Sequence, residues 1–321
     1  MYLIKAWCVA FGMAGVAVYT HAQTFPIKPV RVVVPYAAGG PYDEIVRVLG
    51  QRLTEIWGQA VVVENRGGAG GNIGAEVVAK AAGDGYTLLI GNAGPITVNP
   101  TLFKKLPYDP QRDLAAITMV NAGRMVLSVH PSLPARSVKE LMALARTRPG
   151  QLNYASSGVG NLQHLGMELL RLQAGVTMNH VPYKGAAPAF VDLISGQVDL
   201  MFANIVGTMP HLRTGRVRAV AVSSASRSPL LPEVPAVAET FRGFDIPTWS
   251  GMFAPAATPR DVIAKLNADF GKVLARTDVK ERFAQQGAEA TPSTPEALAD
   301  HVRKETVMYA TVIRAAKIVA E

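Results

Sequence analysis

The chain has 321 residues, 49% of them hydrophobic, and its 32 basic and 24 acidic side chains give a net charge of +8 at pH 7. This length and apolar content are enough for about two domains with buried cores. The basic residues do not cluster along the sequence, which argues against nucleic-acid binding. The positive excess suits an anionic ligand or an anionic membrane surface, although a generally basic exported protein would show it too.

The N-terminal 22 residues are arranged like a secretory signal peptide. Lys5 gives a positive start, residues 6–19 are apolar and uncharged, and Thr20-His21-Ala22 has small residues at its first and third positions. The apolar run is shorter than the ~20 residues that a membrane span needs. We therefore predict cleavage after Ala22 and export to the periplasm. The one cysteine, Cys8, lies in this run, so the mature chain is expected to depend on its core without disulfides.

From residue 30 onwards, short β-branched segments alternate with segments whose apolar residues recur at helical spacing. This alternation predicts a parallel sheet with right-handed crossovers. The first strands are predicted at residues 30–34, 61–63 and 87–90, with helices at 45–57 and 73–82. Two further strands, at residues 117–120 and 125–129, are predicted to pair with each other around Asn121-Ala122-Gly123.

A second α/β series is predicted after residue 137. Its helices are expected at residues 137–148, 162–174 and 188–195, and its strands at 152–155, 178–182, 198–202 and 219–222. Residues 226–259 are rich in proline and lack periodicity, so we interpret them as an irregular connector. Two long helices are expected to follow, with Thr258 and Thr294 as N-caps before a proline.

The predicted fold class is therefore α/β with two lobes. Residues 23–123 and 248–321 are assigned to lobe 1 and residues 124–247 to lobe 2. In open α/β sheets, ligands bind beyond the carboxyl ends of the strands, so the loops at those ends are the candidate site.

Two glycine-rich loops of this kind are the main candidates for ligand binding. The first follows the strand at 30–34 and contains Tyr36, Ala38, Gly39, Gly40 and Asp43. Glycines allow close approach of the backbone, and amides at a helix start favour an anion. For Asp43 the favoured interpretation is an acid that stabilises the first turn of a helix.

The second loop contains Ser156, Ser157 and Gly158 and lies in the other predicted lobe. It has the same features, with two hydroxyl donors added. Facing loops of this type could hold a carboxylate between them. His164, one turn further on, is interpreted as structural.

Polar side chains also end other predicted strands, and a third glycine-rich segment is present. Asn92, Tyr183 and Asn204 could orient a polar ligand, and Trp249 could form a wall of the pocket. Residues 67–74 are rich in glycine but fit neither common nucleotide-binding spacing, so we interpret them as a packed loop.

The sequence gives little support to catalysis, and no cofactor or metal is predicted. It contains no G-x-S-x-G or H-E-x-x-H motif, and no cysteine remains after the signal peptide to bind a metal. A secreted hydrolase using Ser156 or Ser157 is an alternative, but nothing marks a nucleophile–base pair.

Many ordered motifs together resemble one family over the whole mature chain. They are Val34-Pro35-Tyr36, Ala38-Gly39-Gly40-Pro41, Val63-Glu64-Asn65-Arg66, Gly68-Ala69-Gly70-Gly71-Asn72-Ile73-Gly74, Asp84-Gly85-Tyr86, Leu106-Pro107-Tyr108-Asp109-Pro110, Tyr154-Ala155-Ser156-Ser157-Gly158, His164-Leu165, Val181-Pro182-Tyr183-Lys184-Gly185 and Phe253-Ala254-Pro255. In these motifs the chain resembles the Bug-type extracytoplasmic solute receptors of tripartite tricarboxylate transporters.

This resemblance implies a type II periplasmic-binding-protein fold that closes on its ligand. It implies a small organic acid, a mono- or dicarboxylate, held by backbone groups and water. Tyr36, Ala38, Gly39 and Gly40 match the family's first binding loop, and Ser156, Ser157 and Gly158 match its second. Ala203 stands where the family commonly has aspartate, which makes an amino-acid ligand less expected.

The partners implied are the membrane permease subunits of such a transporter, to which a monomeric receptor would deliver its ligand. A ligand-sensing subunit that signals to a sensor kinase is the alternative, and the sequence does not separate the two.

Overall fold

A computed structural model describes residues 25–183 and 185–319. The predicted signal peptide therefore lies outside the described residues. The strands are β1 Val30–Val34, β2 Val61–Asn65, β3 Thr87–Asn92, β4 Leu114–Gly123, β5 Met125–Val129, β6 Asn153–Ser156, β7 Asn179–Pro182, β8 Leu200–Asn204, β9 Arg218–Val222, β10 Thr248–Pro255 and β11 Ala288–Ala290. The helices are α1 Pro41–Trp57, α2 Asn72–Ala79, α3 Asn99–Leu102, α4 Pro110–Asp113, α5 Val138–Thr147, α6 Leu162–Ala174, α7 Ala186–Ser195, α8 Ile205–Arg213, α9 Arg260–Leu274, α10 Thr277–Gln285 and α11 Pro295–Ala315.

The strands form two mixed sheets, and we call the part of the chain built on each sheet a lobe. Lobe 1 has a six-stranded sheet with the order β11-β4-β10-β3-β1-β2, and lobe 2 has a five-stranded sheet with the order β7-β6-β8-β5-β9. In lobe 1, β1 runs parallel to β2 and β3, and in lobe 2, β6 runs parallel to β7 and β8. The predicted α/β class and crossover pattern are confirmed. The predicted lobe boundaries remain a prediction.

The predicted pairing of residues 117–120 with residues 125–129 is wrong. β4 pairs with β10 and β11, whereas β5 pairs with β8 and β9 in the other sheet. One residue, Arg124, separates the two strands, and a hairpin needs a loop of about two residues to reverse the chain. The chain therefore passes directly from one sheet into the other at this point.

The predicted connector at residues 226–259 is also wrong in part, because it contains a central strand. β10 lies between β3 and β4 and is antiparallel to both. Its residues from Trp249 onwards are all buried. A strand buried on both faces shows no alternation of polar and apolar residues, so the pattern used for prediction does not reveal it.

The two predicted N-caps have different outcomes. The Thr294 hydroxyl accepts the N–H of Ala297 at 3.1 Å, as predicted for the start of α11. Thr258 does not cap α9, because Pro259 occupies the N-cap position without a side-chain bond.

The lobes share a hydrophobic core. One cluster joins Val33 and Leu89 of the first sheet with Leu127 and Phe202 of the second. Helix α11 packs on β4 in lobe 1 and on α6 in lobe 2. Within the described residues, the helices are all too short or too polar to cross a membrane.

Candidate functional site

A cleft of about 780 Å³ lies between the lobes, beyond the carboxyl ends of several strands. Tyr36 follows β1, and Asn92 ends β3; from lobe 2, Ser157 follows β6, Tyr183 follows β7, and Asn204 ends β8. The structure therefore brings predicted site residues of both lobes to one cleft. Among the described residues, no lysine, arginine or histidine lines it.

A second cavity of about 490 Å³ adjoins the cleft and shares Tyr42, Asn204 and Thr248 with it. Gly39 and Trp249 line this smaller cavity. Ala38 and Gly40 belong to the same loop as Tyr36 but line neither cavity.

The first loop is held by a hydrogen-bond chain through Asn92. The Tyr36 hydroxyl donates to Asn92 Oδ1 at 2.8 Å, and Asn92 Nδ2 donates to the Tyr42 hydroxyl oxygen at 2.6 Å. The two tyrosine rings stack with their centroids 5.0 Å apart. Burial raises the pKa of both hydroxyls, so both remain protonated. Because the Tyr42 oxygen accepts within the chain, its own proton is left to donate into the cleft.

The Asp43 carboxylate binds groups of its own helix and of the loop before it. Its carboxylate accepts from the Gly39 N–H at 3.0 Å and forms a two-point ion pair with Arg47. The Arg47 hydrogen bond in particular lowers the pKa of Asp43 to about 2. Asp43 is buried and does not line either cavity.

The second loop satisfies many of its own amides. The N–H of Ser157 donates to Gln163 Oε1 at 2.7 Å, and the N–H of Gly158 donates to Ser156 Oγ at 3.2 Å. The N–H of Gly160 donates to His164 Nδ1 at 3.0 Å. These glycine-rich amides are therefore not unpaired, which differs from the expectation that they point freely at a ligand.

The Ser157 hydroxyl is arranged like that of Tyr42. Asn161 Nδ2 donates to Ser157 Oγ at 2.8 Å, so the serine keeps its proton for another acceptor. Asn161 also caps α6, because its Oδ1 accepts from the His164 N–H at 2.9 Å. Each lobe thus presents a hydroxyl whose oxygen already accepts from an asparagine amide.

Ser156 has a histidine partner but no access to the cleft. Its hydroxyl lies 2.6 Å from His180 Nε2, and the residue is completely buried. Glu168, the nearby acid, binds Tyr154 and Arg171 instead of a histidine. This arrangement does not form the nucleophile, base and orienting acid of a hydrolase.

The remaining predicted site residues also have partners within the protein. The Tyr183 hydroxyl donates to Asp192 Oδ2 at 2.6 Å, and burial together with that acid raises the pKa of Tyr183 to about 12. Asn204 Oδ1 caps α8 by accepting the Val206 N–H at 3.0 Å. The Trp249 indole N–H donates to Glu305 Oε2 at 2.8 Å. Ala203 is buried in an apolar cluster and lines neither cavity, so its position gives no support to the inference about amino-acid ligands.

Sequence reasoning missed several residues of the cleft. Tyr42 was detectable, because it directly follows the first loop at a helix start. Asn161 and Gln163 were detectable in the same way beside the second loop. Asn99 and Thr248 also line the cleft, but they come from segments that carried no recognisable loop motif.

Residues 45–318 match the family described as "Tripartite tricarboxylate transporter family receptor". A protein from the tcbD–tcbE intergenic region of Pseudomonas sp. (strain P51) is 40% identical over 311 residues, covering 94% of this chain and 92% of that protein. The protein BugT of Bordetella pertussis is 38% identical over 303 residues, with 94% and 93% covered.

Solved structures give the same result. The structure of R. palustris Rpa4515 with adipate is 35% identical, covers 92% of this chain and 99% of that chain, and has a TM-score of 0.77. MatC (Rpa3494) from Rhodopseudomonas palustris with bound malate is 35% identical, with 90% and 100% covered and a TM-score of 0.73. The family and these neighbours are substrate-binding receptors and not enzymes, which confirms the prediction of a non-enzymatic protein.

Proposed function

Because this chain belongs to the tripartite tricarboxylate transporter receptor family, whose members are periplasmic solute-binding proteins, we propose that it captures a small organic carboxylate between its lobes and delivers it to membrane permease subunits. The observation that carries this proposal is the shared cleft, which is lined by the loop after β1 in lobe 1 and the loop after β6 in lobe 2. Neither lobe alone would surround a ligand there.

The proposed contacts are donors that the protein leaves available. Tyr42 and Ser157 each accept a hydrogen bond from an asparagine amide, and such a bond strengthens the hydroxyl as a donor to an anion. At the start of α1, Pro41 has no N–H, and at the start of α6 the His164 N–H is already bound by Asn161. The other first-turn amides, those of Tyr42 and Asp43 in α1 and of Leu162 and Gln163 in α6, have no acceptor within their own helices and carry the positive end of the helix dipole. In this proposal the donors to the ligand are the Tyr42 and Ser157 hydroxyls and the helix-start amides, in place of the free glycine amides expected from the sequence.

A ligand held from both sides would favour the closed arrangement of the lobes. Two glycines support close approach of the lobes, Gly160 at the cleft and Gly287 at the smaller cavity. A β-carbon at Gly160 would overlap with Leu102 of lobe 1, and one at Gly287 would overlap with Val206 of lobe 2. Closure would exclude water and strengthen the hydrogen bonds to the carboxylate.

The neighbours support the ligand class. Rpa4515 is described with adipate and MatC with malate, and both share the fold over nearly the whole chain. The positive net charge of the chain also favours the approach of an anion.

The test is a calorimetric and thermal-shift screen on protein that has been unfolded, washed free of carried-over ligand and refolded. The panel contains benzoate, adipate, malate and citrate, with adipamide as an uncharged match for adipate. We expect at least one carboxylate to bind and the amide to fail. Refolded protein that shows no stabilisation by any carboxylate would contradict the proposal.

A further inference from the structure

Two stacked histidines lie directly behind the second loop. The rings of His164 on α6 and His180 on β7 are nearly parallel, with their centroids 3.7 Å apart. The Tyr154 ring of β6 stacks near both histidines, with its centroid 4.9 Å from that of His180 and 6.2 Å from that of His164. The two histidines reach the two ends of the loop, since His180 contacts Ser156 Oγ and His164 contacts the Gly160 N–H.

The bond to Gly160 defines the protonation state of His164. Nδ1 must be unprotonated to accept the Gly160 N–H, so the ring is neutral with its proton on Nε2. Protonation of Nδ1 would place two N–H groups against each other at the 3.0 Å separation of these nitrogens. The loop would have to move away from α6, because the ring is buried and stacked.

The surroundings favour the neutral pair. Glu168 lies one turn further along α6, but Arg171 and the Tyr154 hydroxyl already bind its carboxylate. Lys317, after α11, lines the same small cavity as both histidines. Burial lowers the pKa of His164, and burial together with His164 lowers the pKa of His180 to about 4. Two charged imidazoliums stacked at this distance would repel each other strongly.

We propose that His164 is a positioning residue that holds the second loop through Gly160, and that with the stacked His180 it makes ligand binding sensitive to pH. The neutral pair keeps Gly160 and the neighbouring Ser157 in place on their side of the cleft. Protonation at acidic pH releases Gly160 and weakens binding. The effect on affinity rests on the proposed function, whereas the effect on the loop does not.

The sign follows from the lowered pKa values. The ordinary pKa of histidine is about 6.5. A histidine with a lower pKa is neutral at about pH 6.5 and above, and it becomes charged only when the pH falls through its lowered pKa. Loop order is therefore complete above about pH 6.5 and is lost as the pH falls through the lowered pKa of His164.

The first measurement needs no ligand. The amide signal of Gly160 and the ring nitrogens of His164 are followed by NMR from pH 7.5 to pH 4. We expect the Gly160 amide to shift and to exchange faster with solvent at the pH where His164 titrates. A Gly160 signal that ignores His164, or a His164 ring that is charged at neutral pH, would overturn the proposal.

The second measurement is the affinity for adipate at pH 7.5 and pH 5 in three variants. In His164→Asn the side-chain Oδ1 atom can accept the Gly160 N–H but does not titrate. The factor by which adipate affinity falls between pH 7.5 and pH 5 should therefore be at least five-fold smaller in this variant than in the unmodified protein. His164→Leu should bind about ten-fold more weakly at both pH values. His130→Asn, which removes a ring whose hydrogen bonds within the described part of the chain are to Ser132, should behave like the unmodified protein.

The comparison between variants cancels the titration of adipate itself. Equal pH dependence in His164→Asn and the unmodified protein would refute the link to affinity. If adipate does not bind at all, the proposed ligand class fails for this probe, and the NMR result still decides whether His164 positions the loop.

Discussion

Gly287 of lobe 1 is packed against Val206 of lobe 2 so closely that a β-carbon at residue 287 would overlap with the valine Cγ2 atom. Gly287 follows α10, and Val206 lies in the first turn of α8. Both residues line the smaller cavity beside the cleft. The contact therefore limits how near the two lobes can come at this edge.

Gly287→Ala is expected to weaken carboxylate binding by about ten-fold, because the added methyl group holds the lobes apart. Raising the free energy of the closed state by ~1.4 kcal/mol lowers the apparent affinity by that factor. The measurement is calorimetry with the carboxylate that gives the largest thermal shift, combined with small-angle scattering of the ligand-bound protein, which should be less compact than the unmodified complex.

Gly58→Ala is the matched control. Gly58 has φ +62 and Gly287 has φ +68, but a β-carbon at Gly58 would meet nothing within 4 Å. Both variants should lose about 1–2 kcal/mol of stability from the left-handed backbone, and only Gly287→Ala should lose affinity. Equal affinities would show that the interlobe contact does not limit closure.

Tyr42→Phe is expected to reduce carboxylate affinity by about ten-fold, since a hydrogen bond to a charged group contributes ~1.5 kcal/mol or more. The ring still stacks on Tyr36 and only the hydroxyl is lost. Tyr86→Phe is the control, because the Tyr86 hydroxyl accepts from Ile27 N at 2.9 Å and lines neither cavity. If both variants bind equally well, the Tyr42 hydroxyl is not a donor to the ligand.

Local patterns predicted the parts of the site that depend on neighbours in sequence. The loop after β1 and the loop after β6 were found because each glycine-rich turn follows a strand and precedes a helix. β6 ends at Ser156, and Ser157 is the first residue after the strand. Ser156 is completely buried, and Ser157 lines the cleft, so residue type alone could not rank them.

Contacts between distant segments could not be predicted in this way. Tyr42 becomes a candidate donor only because Asn92, fifty residues away, reaches its oxygen. His164 and His180 are separated along the sequence, and only the fold brings their rings into a stack. Trp249 was placed in a connector because β10, buried on both faces, lacks a periodic pattern.

Trp249→Phe is expected to lower stability by about 2 kcal/mol while changing carboxylate affinity less than two-fold. The indole is almost fully buried, and its N–H is a donor to Glu305, so its loss leaves a buried acceptor with one partner fewer. Urea unfolding and calorimetry on the same protein separate the two effects. A large loss of affinity with little loss of stability would instead support the predicted role of Trp249 as a wall of the ligand pocket.

Glu305→Gln should become more stable relative to the unmodified protein as the pH rises from 5 to 8. Burial raises the pKa of Glu305 to about 7, although Thr97 and Trp249 donate to its carboxylate. A carboxyl group whose pKa is raised in the folded protein stabilises the folded state fully only at pH values below its ordinary pKa of about 4.3. This stabilising contribution is lost as the pH rises towards 7. Glutamine does not titrate, so the variant should gain on the order of 2 kcal/mol over this range in urea unfolding.

Glu168→Gln should show the opposite slope. Glu168 is also buried, and burial opposes its ionisation, but hydrogen bonds from Arg171 and Tyr154 outweigh burial and lower its pKa. Its stabilising contribution is present above its ordinary pKa and is lost in acid, so this variant should be less stable by about 1–3 kcal/mol at pH 7 and approach the unmodified protein at low pH. Since both substitutions replace a buried carboxylate by the same amide, parallel slopes would show that the environments of Glu305 and Glu168 do not set their protonation in opposite directions.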